Sequence, residues 1–162
     1  MQENSQNKSV IFLDFDGVLN TGNSPYRDEF GNLFDPASVR ELKRIIESAN
    51  PTIVISSSWK MLGLGTLREM WRDRGLPGRI FGITPSDASN EMMMRGEMPI
   101  PKLKGAEIQQ WLDEHPDYTH YVILDDEDVA QDDMQRSHLV QTNPKLGLSQ
   151  DIAENVLDLL IK

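Results

Sequence analysis

Two aspartates, Asp14 and Asp16, stand at the end of the apolar run Val10-Ile11-Phe12-Leu13, and Gly17 follows them. Side chains alternate along a strand, so while the strand persists both carboxylates leave on one face. Carboxylates held that close raise one another's pKa unless a cation lies between them. A hard divalent ion such as Mg2+ resolves the conflict, because it takes oxygen ligands and needs only one or two protein carboxylates. An ordinary Asp-x-Asp-Gly turn at a strand end is the competing reading of the same residues.

Two further clusters tip the balance. Ser56-Ser57-Ser58 follows the β-branched run Thr52-Ile53-Val54-Ile55, and Asp125-Asp126 follows Tyr121-Val122-Ile123-Leu124. A basic residue, Lys104 or its rivals Lys102 and Lys60, completes the set. Carboxylates for a metal, a hydroxyl and N–H groups for phosphate oxygens, and a lysine for negative charge together describe a phosphoryl-transfer site. One carboxylate would act as nucleophile, and the other would protonate the leaving alcohol and then activate water. Such a site works only if the fold brings these distant residues together.

The elements that must do so are legible in outline. Strands are expected at residues 9–15, 51–55, 79–83, 121–124 and 138–141, from apolar, β-branched runs bounded by turn residues. Helices are expected from Asp35-Pro36 to about residue 48, over 66–74 ahead of Gly75, from Lys104-Gly105-Ala106 onward, and after Ser149. Caps and apolar residues at helical spacing mark them. Residues 17–34 read as a turn and a flap, and residues 86–101, with Met92-Met93-Met94, as a long loop without period. Strands alternating with helices predict a three-layer α/β sandwich around a mostly parallel sheet, and in such a sheet ligands bind at the carboxyl edge.

Composition narrows the class further. With 162 residues, one domain is expected, read as a polar tail over 1–8 and a single domain over 9–162. The absence of cysteine excludes thiol chemistry and cysteine-ligated zinc, and agrees with a cytoplasmic setting. No apolar run reaches membrane length. A net charge of −10 offers no attractive field for non-specific wrapping of nucleic acid, though recognition of a phosphorylated end stays open.

Phe12-Leu13-Asp14-Phe15-Asp16-Gly17-Val18, Ser56 after its strand, the lysine and Leu124-Asp125-Asp126 resemble, in order, the four motifs of the haloacid dehalogenase (HAD) superfamily. The resemblance implies a Rossmann-like HAD fold, here without room for a full cap domain between the motifs, and hence an open site. It implies Asp14 as nucleophile and Asp16 as general acid/base. Mg2+ would be held by Asp14, the backbone carbonyl of Asp16 and the acidic pair, Asp126 ahead of Asp125. Ser56, the Ser57 N–H and Lys104 would bind the phosphoryl group.

Val54-Ile55-Ser56-Ser57-Ser58-Trp59-Lys60, Gly82-Ile83-Thr84-Pro85, residues 105–112 and Gly147-Leu148-Ser149 further resemble the HAD domain of Swiss Army Knife RNA-repair proteins. That narrower likeness implies an RNA or DNA end as substrate. Other readings fit less well. Ser56 lacks the Gly-x-Ser-x-Gly turn of a serine hydrolase, there is no Walker loop, and receiver domains order their acidic residues differently. A catalytically idle HAD-like binding or scaffold module is the alternative, and the presence of Asp16 beside Asp14 favours the enzyme. His115, His120 and His138 share no ligand spacing and read as structural. Trp59, Trp71 and Trp111 read as packing residues, with Trp59 beside the serines open to a role at the site. The methionine run reads as core filler or a flexible rim.

Overall fold

The computed structural model describes residues 8–161. Of the segment expected to be a tail, only Lys8 falls among them, and it opens the first strand. In chain order the elements are β1 (Lys8–Leu13), the short β2 (Arg27–Asp28) and β3 (Gly31–Asn32), α1 (Pro36–Ala49), β4 (Thr52–Ile55) and a 3-10 turn (Ser58–Leu62). There follow α2 (Leu64–Asp73), β5 (Ile80–Ile83), α3 (Asp87–Met94), α4 (Lys102–Glu114), β6 (Tyr118–Asp125), α5 (Asp133–Arg136), β7 (Leu139–Gln141) and α6 (Gln150–Ile161).

Five strands form one sheet in the order β5-β4-β1-β6-β7, and every neighbouring pair is parallel. The expected α/β architecture is therefore present, with a sheet that is wholly rather than mostly parallel. The two-residue alternation of β1 divides the core between two faces. Ile11 and Leu13 pack with Leu42 and Ile45 of α1, Leu67 and Met70 of α2, and Val156 of α6. Val10 and Phe12 face the other way with Val54, Ile123, and Ile108 and Trp111 of α4. Phe12 and Trp111 meet edge to face at 5.4 Å, and burial of such rings is a main source of stability in a sheet flanked by helices.

Several elements differ from expectation. Residues 87–94 are helical, and α3 is secured to α4 by polar contacts: Gln110 donates to Asp87 at 2.7 Å and Ser89 to Glu107 at 3.1 Å. Polar anchoring of this kind leaves no apolar stripe, hence no period to read. Met93 and Met94 of this helix are exposed, so neither fills the core. Asp35 precedes Pro36 at the start of α1, yet its side chain makes no capping bond and accepts instead from the Thr21 hydroxyl. The flap contains the β2–β3 hairpin. No described helix is long and apolar enough to cross a membrane.

Candidate active site

Period-two alternation continues past the strand ends and selects the site residues. Asp14 follows the parity of Val10 and Phe12, Ser56 that of Val54, and Asp125 that of Ile123, so all three project toward the face covered by α4. Backbone bonds hold the ends in line. The Asp14 N–H donates to Leu124 O at 3.1 Å, Ser56 N–H to Leu13 O at 2.9 Å, and Thr142 N–H to Asp125 O at 2.9 Å. The convergence expected of a parallel sheet is realised at its carboxyl edge.

Carboxylate oxygens of Asp14, Asp125 and Asp126 lie within 4.8 Å of one another, and Asp14 and Asp125 are buried. Burial pushes the Asp14 carboxyl up to about 8; the Asp125 charge adds to the rise, and Lys104 and the Phe15 N–H, which donates at 2.9 Å, oppose it. Burial likewise raises Asp125, against the pull of Lys104. Lys104 Nζ sits 3.0 Å from Asp125 Oδ2 and 3.5 Å from Asp14 Oδ1. Burial opposes its charge, but the two carboxylates outweigh burial and raise its pKa. A concentrated, partly desolvated negative charge with only oxygen donors suits a hard cation, so the cluster could hold a metal ion.

Gly17 makes the cluster possible. It has φ +81°, and a Cβ there would lie 2.4 Å from Asp126 Oδ2 and 2.7 Å from Asp126 Cβ. Gly105 does similar service on the other side. A Cβ on it would meet Val129 O at 2.3 Å, and Gln135 donates to its carbonyl at 2.9 Å. The bare helix surface lets the loop after β6 close on α4, which brings Lys104 to Asp125.

Asp16 does not join this cluster. The strand ends at Leu13, Phe15 turns into the core, and Asp16 is exposed. The strand that would keep the two aspartates on one face ends at Leu13, before either of them, and the acidic neighbours of Asp14 are Asp125 and Asp126. The Asp16 carboxylate accepts from Asn20 Nδ2 at 2.9 Å and from Trp59 Nε1 at 3.2 Å to each oxygen.

Ser56 and Ser57 are both buried at the end of β4, and the Ser57 hydroxyl accepts from the Trp59 N–H at 3.2 Å, capping the 3-10 turn. Among the rival lysines, Lys60 is committed elsewhere. Its Nζ donates to Glu107 at 3.1 Å, Thr84 Oγ1 at 3.2 Å and Pro85 O at 3.0 Å. Among the described residues Lys104 is the cation in contact with Asp14 and Asp125. Sequence reasoning missed Glu107, only 2% exposed, whose sole signal was a charge on the inner side of α4. Two of the histidines pack on rings, His115 on Trp111 at 3.8 Å and His138 on Tyr121 at 3.9 Å. A cavity of about 890 Å3 lies at the opposite end of β4, lined by Asn50, Thr52 and Arg68, and touches none of the site residues.

A wholly parallel sheet with an acidic cluster and a lysine at its carboxyl edge defines a HAD-like Rossmannoid domain. The family model for the HAD domain in Swiss Army Knife RNA repair proteins matches residues 10–153, and the chain belongs to that family. No curated protein matches it.

Proposed function

We propose that the chain is a Mg2+-dependent phosphomonoesterase acting through an aspartyl-phosphate. Asp14 is the nucleophile: its carboxylate oxygen bonds to phosphorus as the bond from phosphorus to the ester oxygen breaks. Asp16 gives its proton to the departing alkoxide, then takes one from the water that cleaves the phospho-enzyme, returning Asp14 and releasing phosphate. Ser56 and the Ser57 N–H hold the phosphoryl oxygens, and Lys104 balances their charge against Asp14.

Asp14, Asp126 and the Asp16 carbonyl would hold Mg2+, with Asp125 assisting and orienting Lys104. When bound, the ion would neutralise the cluster and keep Asp14 ionised at neutral pH. Family membership favours a phosphorylated RNA or DNA end as substrate.

The observation that carries this reading is the different setting of the two aspartates: Asp14 is 4% exposed beside Lys104, while Asp16 is solvent-accessible. A nucleophile needs the enclosed, charge-balanced position, and a proton shuttle needs access to water. Hydrolysis of p-nitrophenyl phosphate with and without Mg2+, by wild type and Asp14→Asn, tests it. Metal-dependent turnover lost in the variant is expected; equal rates in the two proteins, or none in either, overturn the proposal. Oligonucleotides phosphorylated at either end, compared with nucleotides and sugar phosphates, test the substrate.

A further inference from the structure

We infer that Trp59 is a positioning residue that fixes the carboxylate of Asp16 for proton transfer, an inference that rests on the phosphatase reading above. An exposed aspartate on a turn ordinarily samples several rotamers. The Asp16 carboxylate is instead fastened on both oxygens by the Trp59 indole N–H, at 3.2 Å each, with Asn20 Nδ2 at 2.9 Å on Oδ1.

The indole is itself immobilised. Its ring meets Phe15 edge to face at 5.5 Å and Phe34 at 5.6 Å. The Arg74 guanidinium lies over it at 5.8 Å and over Phe34 at 4.9 Å. Arg74, with a side chain only 6% exposed, is fixed in turn by two bonds to Asp28 of the flap hairpin, at 2.8 and 2.7 Å, and one to Gly31 O at 3.2 Å. Gly31 holds φ +125°, a conformation that favours glycine, beside the edge of the ring. The backbone N–H of Trp59 donates to the Ser57 hydroxyl at 3.2 Å.

The arrangement has a mechanistic consequence. Trp59 belongs to the segment that carries Ser56 and Ser57, whereas Asp16 belongs to the turn after β1. One rigid side chain therefore ties the proton donor to the segment assigned to the phosphoryl group and sets the distance between them. Small displacements of a catalytic group cost large factors in rate. A packing role alone would not require the N–H to face a carboxylate.

Trp59→Phe keeps an aromatic ring in the cage and removes the donor. For an alkyl phosphate, whose leaving group needs a proton, kcat/KM is expected to fall about tenfold or more. For dinitrophenyl phosphate, whose leaving group needs none, kcat/KM is expected to stay within about twofold of wild type. Equal loss on both substrates, or none on either, overturns the inference while leaving the phosphatase reading intact. Absence of Asp14-dependent turnover in wild type overturns that reading and the inference with it. A second measurement needs no activity. The Trp59 indole proton resonance, identified by its disappearance in Trp59→Phe or, should that variant not fold, in Trp59→Tyr, is expected to move upfield in Asp16→Ala. A resonance indifferent to Asp16→Ala refutes the contact.

Discussion

Asp14→Asn should abolish turnover and at the same time raise the thermal stability of the metal-free protein at alkaline pH. The buried Asp14 carboxyl has its pKa pushed from 3.8 up to about 8. A carboxyl raised in the folded state binds its proton more tightly there than in the unfolded chain. Its contribution is fully present below the unfolded value and is lost as pH rises through the folded one, so stability declines across the window from about 4 to about 8. Asp125, raised in the same direction, deepens the decline. At about 1.4 kcal/mol per tenfold change in acidity, the Asp14 difference sets a ceiling of about 6 kcal/mol. That value already includes the opposing pull of Lys104 at 3.5 Å, and relaxation and water penetration around the buried charge reduce the net gain from asparagine to about 2–3 kcal/mol. For a chain of this length the gain corresponds to about 5–10 °C in Tm. Thermal melts in EDTA between about pH 4 and about pH 9 should show the variant above wild type at the alkaline end and the two converging at the acid end. Saturating Mg2+ should narrow or reverse the gap, because wild type gains a ligand-linked stabilisation that the variant forfeits in part. An Asp14→Asn variant less stable than wild type in EDTA at about pH 9 would refute the burial argument.

Two structural predictions accompany it. Gly17→Ala should weaken Mg2+ binding about tenfold by calorimetry and destabilise the protein by about 1–2 kcal/mol, because φ is +81° and the added Cβ collides with Asp126 at 2.4 Å; unchanged affinity would count against Asp126 as a ligand. Lys60→Met should destabilise by about 3–5 kcal/mol in urea unfolding, since it strands a buried Glu107. Pairing it with Glu107→Leu should recover most of the loss, and no recovery would show that the other Lys60 contacts, to Thr84 and Pro85, dominate.

Through Arg74 and Trp59, contacts run from the flap hairpin to Asp16. Arg74, at the end of α2, reaches across to Asp28 and Gly31, so the hairpin is seated by a residue more than forty positions away. The seat of the flap thus depends on α2, which packs on the sheet through Leu67 and Met70. Loops positioned by a rigid scaffold in this manner commonly carry function.

What the amino-acid sequence determined by itself was the set of elements with strong local signals and the chemistry at their ends. The β-branched runs, the Asp35-Pro36 start and the stop at Gly75 needed no tertiary information, because strand and helix periods are properties of neighbouring residues. The meeting of Asp14, Ser56 and Asp125 was also implicit, since parallel strands share a carboxyl edge. Only the tertiary structure decided how the carboxylates were shared out. Asp16, two positions after Asp14, accepts from Trp59 and lies outside the acidic cluster, while Asp125 and Asp126, far along the chain, become the neighbours of Asp14. Choosing Lys104 over Lys60 likewise required the packing of α4, because a lysine's partner is set by whichever buried carboxylate the fold brings within reach, Asp125 for one and Glu107 for the other. Helix α3 and the inward Glu107 were illegible for the same reason: their stabilising contacts are polar, specific and distant, and leave no periodic trace in the chain.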